Sequence, residues 1–356
     1  MRLAAFLSLL FSWTACSAET RVYIGTYTRD GSGSEGIYVS TLDQSSGELS
    51  EPKLAAKAFN PSFVAIHPNG ESLYAVSEAP AIGDHPVGVI AYSILDDGTL
   101  KKLNERSTGG GGACHVSVDP TGQCVGVANY GGGSCATFPI NGDGSLGKMG
   151  SFHQHVGSSV NPRRQKEPHA HSINFSADSS QAFVADLGMD EIVIYDLDPK
   201  RGKITPSKQG SLKMHAGGGP RHFCFTPDGN AAVCNLEMTS QVAFLRYARS
   251  TQMLSAGALV SSLPDGVSVA NNSTAECLVH PNGKTAYVSN RGHNSIAMFR
   301  IDDTSGQLIA SGHQSTLGET PRGFGIDPAG NFLIVANQKS GNVVSLRIDP
   351  HSGSLT

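Results

Sequence analysis

The chain has 356 residues, a net charge of −4, 42 glycines and only 16% charged residues. So weak a charge excludes the cationic field that nucleic acid or an anionic membrane surface would need, and any anion site must be local. The length would allow two or three domains, and the glycine content points to many tight turns.

Residues 1–18 stand apart. Arg2 gives a positive start, an apolar run follows from Leu3 to Trp13, and Ala15-Cys16-Ser17-Ala18 is a small-residue cleavage pattern. This reads as a secretory signal peptide and predicts an exported protein, periplasmic or secreted, with a buried first strand as the other reading. Cys16 offers a lipoprotein anchor as the alternative. The run is too short to span a bilayer, and no later run is long enough.

From Arg21 onward a phrase returns roughly every 50 residues. One half is a strand ending in a Pro-x-Gly turn, at Pro68-Asn69-Gly70, Pro120-Thr121-Gly122, Pro227-Asp228-Gly229, Pro281-Asn282-Gly283 and Pro328-Ala329-Gly330. A degenerate copy is Ser176-Ala177-Asp178-Ser179. The other half is a turn of the type Asp-x-x-Ser-Gly-x-Leu, with seven copies at 43–49, 96–100, 141–146, 198–204, 249–254, 302–308 and 349–355. Each copy carries four short apolar runs. Blades that cannot bury both faces alone stack into a closed ring, so residues 21–356 read as one all-β domain, a seven-bladed β-propeller with four-stranded antiparallel blades.

In the second repeat the strands are predicted at 62–67, 72–77, 88–94 and 100–107, counted from the axis outward. The first repeat opens at Arg21-Val22-Tyr23-Ile24, which matches a second strand. Its innermost strand would normally be lent by the C-terminus. The sequence stops at Ser354-Leu355-Thr356, so either it is cut short there or the ring closes imperfectly, and the aggregation risk of an open edge favours the first. The cysteines beyond the leader, Cys114, Cys124, Cys135, Cys224, Cys234 and Cys277, sit inside apolar strand patterns without C-x-x-C or zinc spacing. They read as small buried hydrophobes, with neither a disulfide framework nor a metal site.

Within each blade the start of the first strand and the loop after the second strand fall on the same face. All repeats aim these segments at the axis, which predicts one shallow funnel. Aligned on the Pro-x-Gly turn, one column holds Ser62, Cys114, His171, Arg221, Ala275 and Arg322. The next holds Phe63, His115, Ser172, His222, Glu276 and Gly323. The loops add Asn129-Tyr130, Asp186, Asn235-Leu236-Glu237, Asn290-Arg291-Gly292-His293 and Asn337. Such groups are expensive in an interior without partners. Propeller tunnels are often polar and watery, so a lone histidine here has a structural reading as good as a functional one. The recurring Asn129, Asn235, Asn290 and Asn337 read as structural. Residues that break the repeat are the functional candidates, because a fold requirement would act on every blade. The segment 161–171, with Arg163, Arg164, His169 and His171, is an insertion where a functional loop is expected.

Arginines can hold a carboxylate or phosphate in bidentate fashion, and a neighbouring His and Glu can move protons. No G-x-S-x-G elbow is present. Gly109–Gly112 and Gly131–Gly133 lack the helix and lysine of a phosphate-binding loop.

Six stretches carry a family resemblance: Val22-Tyr23-Ile24-Gly25-Thr26-Tyr27-Thr28, Cys114-His115-Val116-Ser117-Val118-Asp119, Ala128-Asn129-Tyr130-Gly131-Gly132-Gly133, Pro168-His169-Ala170-His171-Ser172, Gly219-Pro220-Arg221-His222-Phe223 and Ser289-Asn290-Arg291-Gly292-His293. On these the chain resembles the bacterial lactonase family of seven-bladed propellers, which includes cycloisomerase-type 6-phosphogluconolactonases and carboxy-cis,cis-muconate cyclases. The resemblance implies a metal-free, cofactor-free lactone hydrolase acting on a small lactone or sugar-acid anion. His171, Arg221, Glu237 and Arg291 would be the catalytic residues, with His169 as second candidate for the histidine. His115, His169, His222, Glu276, His293, Arg322 and Asp186 are the candidate substrate-binding residues. Where the family more often has Asn-Glu directly, this chain has Asn235-Leu236-Glu237. A muconate cycloisomerase and a non-catalytic binding propeller are the alternatives. The expected form is a monomer without nucleic-acid partners.

Overall fold

The computed structural model describes residues 9–12, 20–29, 31–79, 88–302 and 306–356. The expected leader and Cys16 lie outside the described residues apart from Leu9–Ser12, whose backbone alone is described.

The strands form seven sheets, each built from strands consecutive in the chain. Six have four strands and the last has three. In the second blade the strands are Val64–Ile66, Ser72–Ser77, Gly88–Ile94 and Leu100–Ser107, so three of the four predicted spans match and the innermost is shorter. The last blade is Pro321–Ile326, Phe332–Asn337 and Asn342–Arg347. Its fourth position holds only the end of the chain, where Arg347 and Thr356 exchange backbone hydrogen bonds at 2.9 and 3.0 Å.

The first blade differs from the sequence expectation. Its innermost position is filled from the N-terminal side: Leu9–Ser12 runs antiparallel to Thr20–Ile24, pairing Leu9 with Ile24 and Ser12 with Arg21. This strand meets Val64–Ile66 and Pro321–Ile326, the inner strands of the two flanking blades, so the inner strands close a ring. The physical reason is the unpaired inner edge of Thr20–Ile24, whose backbone groups need a partner.

Every blade interface holds one apolar layer. Tyr74, Val76 and Val89 of the second blade pack on Val125, Val127 and Phe138 of the third. Val22, Ile24 and Tyr38 of the first pack on Phe332 and Ile334 of the last. Inner strands are covered on both faces, which is why their sequences alternate so weakly. Polar ties cross the same interfaces. Tyr23, Tyr74 and Tyr287 donate from their hydroxyls to the carbonyls of Gly98, Gly144 and Gly353 in the next blade, at 3.0, 2.9 and 2.8 Å. These glycines belong to the Ser-Gly turns, so one half of the repeat clamps the other half of its neighbour. Arg347 makes the corresponding tie from the last blade to the first, through the carbonyl of Ser45 at 2.9 Å.

The Pro-x-Gly turns place Gly70, Gly122, Gly229, Gly283 and Gly330 at φ of +69° to +77°, where a Cβ is strained. The degenerate copy puts Ser179 there, at φ +54°. Its hydroxyl donates to Asp119 of the preceding blade at 2.7 Å, which helps hold the conformation.

Candidate active site

The funnel residues owe their aim to a backbone irregularity. In blades three to seven the pairing of the first strand with the second slips near its start. Cys114 is skipped between Ala113 and His115, and His171 between Ala170 and Ser172. Arg221 and His222 are skipped between Pro220 and Phe223, Ala275 and Glu276 between Thr274 and Cys277, and Arg322 between Pro321 and Gly323. Bulges re-aim side chains and free backbone groups from the ladder. Side chains take up those groups. The Asn235 carboxamide oxygen accepts from His222 N–H at 3.0 Å, and its NH₂ donates to Thr274 Oγ1 at 2.9 Å and to the Ala275 carbonyl at 3.2 Å. Ser289 Oγ accepts from Glu276 N–H at 3.0 Å. The recurring asparagines are fully buried and bonded within the fold.

Glu78, Cys114, Tyr130, Arg164, His171, Glu237, Arg291 and Arg322 line a pocket of about 300 Å³. A smaller recess beneath it is lined by Ser62, Phe63, Cys114, Arg221, His222 and Arg322. The structure thus brings together His171, Arg221, Glu237, Arg291 and Arg322 from blades four to seven.

Glu237 is the hub. Its Oε1 accepts from Arg164 at 2.8 Å, and its Oε2 lies 3.0 Å from Arg221 Nε and 3.1 Å from Arg291 Nη2. Burial alone would raise this carboxyl, but Arg291, Arg221 and Arg164 outweigh it and hold it at about 2. It is an anion at any working pH and a weak base. Arg221 donates to the Ala275 carbonyl and Arg291 to the Thr274 carbonyl, so the bulge of the sixth blade fixes both guanidinium groups, one from the fifth blade and one from its own. Burial, then Arg291 and Arg322, push Arg221 down to about 9; it remains charged at neutral pH. Arg164 comes from the inserted loop, is 43% exposed, and also donates to Tyr130 Oη at 3.1 Å. Fully buried Gln165 anchors that loop by donating to the Leu187 carbonyl at 2.9 Å.

His171 stands on the same pocket, edge-on to Tyr130 with ring centroids 5.3 Å apart. Burial, then Arg221 and His222, hold it well below 6.5, so it is neutral. His115 and His222 sit beneath, their rings 5.2 Å apart, and both are held low by burial first. His115 Nδ1 accepts from Ile173 N–H at 3.3 Å, which leaves its proton on Nε2. His222 Nδ1 meets Glu276 Oε1 at 2.5 Å. Burial raises Glu276 to about 8, so at neutral pH the pair shares one proton and carries no net charge.

Two candidates fall elsewhere and a third only flanks the pocket. Asp186 is fully buried, bonded to His155 at 2.6 Å and to the backbone N–H groups of His169, Gly188 and Met189; it shapes a loop and has no open face. His293 is exposed, bonded to Ser295 Oγ at 2.7 Å with its ring near His313 of the outermost strand. His169 stacks on Tyr130 at 4.5 Å and donates from Nδ1 to the Tyr130 carbonyl at 3.0 Å, flanking the pocket.

Sequence reasoning missed Glu78, Tyr27 and the role of Arg164. A signal existed. Glu78 directly follows the second strand of its blade, as Tyr130, Glu237 and Arg291 follow or end theirs, so this column borders the pocket in blades two, three, five and six. Among the described residues no group of three or more His, Cys, Asp or Glu converges as a metal site, and no helix is long and apolar enough to cross a membrane.

Comparison with known proteins agrees with this fold. The family model described as lactonase, 7-bladed beta-propeller, matches residues 21–356. The 6-phosphogluconolactonase of Bacillus subtilis (strain 168) is 39% identical over 336 residues, covering 94% of this chain and 93% of its own. That of Formosa agariphila is 34% identical and covers 94% of each chain. Among solved structures, the periplasmic gluconolactonase of Pseudomonas aeruginosa is 30% identical with a TM-score of 0.87, covering 94% of this chain and 93% of that one.

Proposed function

Because the chain belongs to the seven-bladed β-propeller lactonase family, we propose that it hydrolyses a sugar-acid lactone of the 6-phosphogluconolactonase type, with His171 as the proton carrier. The observation that carries this reading is a neutral His171 on the same pocket as Glu237 and two of its arginines, Arg164 and Arg291, with Arg221 held against the same carboxylate from the recess.

In the proposed step a water attacks the lactone carbonyl and His171 takes its proton. Arg291, with Arg221 behind it, stabilises the oxyanion. The carbonyl re-forms, the ring C–O bond breaks, and the imidazolium returns its proton to the leaving ring oxygen. One lactone and one water give one hydroxy acid. Glu237 serves by fixing the guanidinium groups rather than by moving a proton, because those groups hold its basicity so low. Operation without a metal is part of the proposal: of the two carboxylates on the pocket, Glu237 is engaged by three arginines and Glu78 by Tyr27 and Ser62.

Export is also proposed, supported by the leader-like residues 1–18 and the likeness to a periplasmic gluconolactonase. Cleavage after Ala18 would remove Leu9–Ser12, so the inner edge of Thr20–Ile24 would need another partner in the mature protein. N-terminal sequencing of the protein recovered from the cell envelope or medium tests it; an intact Met1 on cytoplasmic protein would refute it.

The test of activity is hydrolysis of 6-phosphogluconolactone and glucono-1,5-lactone by the purified protein in excess chelator, beside His171→Asn. The variant should lose about 10²–10⁴-fold in kcat while melting as the wild type does. Undiminished turnover in His171→Asn, or loss of wild-type activity on chelation, would overturn the mechanism.

A further inference from the structure

The positive charges of the pocket are unevenly neutralised. Arg164, Arg221 and Arg291 all meet Glu237, but Arg322 has no carboxylate within ion-pair distance among the described residues. The bulge between Pro321 and Gly323 aims it inward, and it borders both the pocket and the recess below. Its guanidinium carbon lies 5.8 Å from the Tyr27 ring centroid, and that of exposed Arg29 lies 4.7 Å from the same ring. Arg29 likewise has no carboxylate partner among the described residues. Tyr27 therefore separates two guanidinium groups that lack a direct ion-pair partner among the described residues, with Glu78 and Glu237 acting on Arg322 only at longer range.

Glu78 completes this side. Its Oε2 accepts from Tyr27 Oη at 2.6 Å and from Ser62 Oγ. Its Oε1 accepts no hydrogen bond from the described residues, and the side chain borders the pocket. A carboxylate oxygen can only accept, so it suits a ligand hydroxyl and repels a ligand anion.

Resting on the lactonase reading, we propose that Arg322, assisted by Arg29, is the subsite for an anionic group remote from the reacting carbonyl, with Glu78 accepting a hydroxyl of the same ligand. The chemistry fits a phosphoryl or a carboxylate group, since guanidinium forks bind both. Repulsion by Glu78 gives the ligand one orientation: anion toward Arg322, carbonyl toward Arg291 and His171.

The experiment compares kcat and KM on three lactones in wild type, Arg322→Gln and Arg322→Lys. 6-Phosphogluconolactone carries a phosphoryl group, a glucarolactone carries a carboxylate, and glucono-1,5-lactone carries neither. For Arg322→Gln, kcat/KM on at least one anionic lactone should fall about tenfold more than on the neutral one, mainly through KM. Arg322→Lys should recover part of the loss. The anionic lactone that responds identifies the group bound. Equal losses on charged and neutral lactones, or no loss, would overturn the proposal. Should the wild type hydrolyse none of the three, the lactonase reading fails by itself. Calorimetry with 6-phosphogluconate and inorganic phosphate then decides the subsite: Arg322→Gln must weaken binding about tenfold, and unchanged binding refutes it.

Discussion

Arg221 Nε lies 3.0 Å from Glu237 Oε2, and both side chains are almost sealed from solvent. Neither would be tolerated there alone, because an unpaired buried charge costs several kcal/mol. The carboxylate also holds Arg164 and Arg291, so one anion orders three cations.

Replacing Glu237 with Gln should therefore act first on stability. The expected loss is about 3–5 kcal/mol, read from denaturant or thermal melts. Added phosphate should restore part of it, because an anion bound to the folded state alone raises the melting temperature. A Glu237→Gln protein that melts as the wild type does, yet has lost all turnover, would instead make Glu237 the proton carrier.

Asn235 tests the bulge. Its three hydrogen bonds fasten the backbone of His222 and Ala275 and the hydroxyl of Thr274. Arg221 itself donates to the Ala275 carbonyl. Asn235→Ala should cost about 2–3 kcal/mol, since buried groups are left unpaired. It should also lower kcat more than it raises KM. A stability loss with unchanged kcat would show that the bulge does not position Arg221.

The buried titratable groups predict a stability maximum near pH 6.5. His115 and His171 are held well below 6.5 when folded. As pH drops below 6.5 the unfolded chain binds two protons that the folded chain refuses. Stability then falls with decreasing pH, by up to about 3 kcal/mol per pH unit. His222 and Glu276 offset each other between pH 4.5 and 6.5: the folded pair keeps one proton on Glu276, the unfolded pair one on histidine. Above pH 6.5 only the folded pair holds a proton, until Glu276 ionises at about 8. Stability therefore also falls as pH rises toward 8, by about 1.4 kcal/mol per unit. Melting temperatures across pH 5–8 check this; a monotonic profile would contradict the neutral assignment of these groups.

The Ser-Gly turns give a test independent of function. Gly144 sits at φ +83°, and a Cβ there would lie 2.2 Å from Ser72 Oγ of the neighbouring blade. Gly144→Ala should destabilise by about 2 kcal/mol or more. At the equivalent turn Gln252 has φ +55° and is exposed. Gln252→Gly should stabilise by about 1 kcal/mol. Urea melts of the two variants should move in opposite directions.

The repeat alone determined the sevenfold ring, because each Pro-x-Gly and Ser-Gly turn is a local demand for a left-handed backbone that few residues meet. It also placed His171, Arg221 and Arg322 in one column, since strand period and turn position fix where a first strand begins. The tertiary structure alone decided which of those residues meet. Slipped pairing at the strand starts turns His171, Arg221 and Arg322 inward, and a ladder irregularity has no signature in the spacing of apolar residues. Asp186 and His293 share the loop columns, yet Asp186 is taken by His155 of the preceding blade and His293 by Ser295 two residues along its own turn. The charge state of Glu237 was equally beyond the sequence, since it depends on three arginines brought from 16 to 73 positions away.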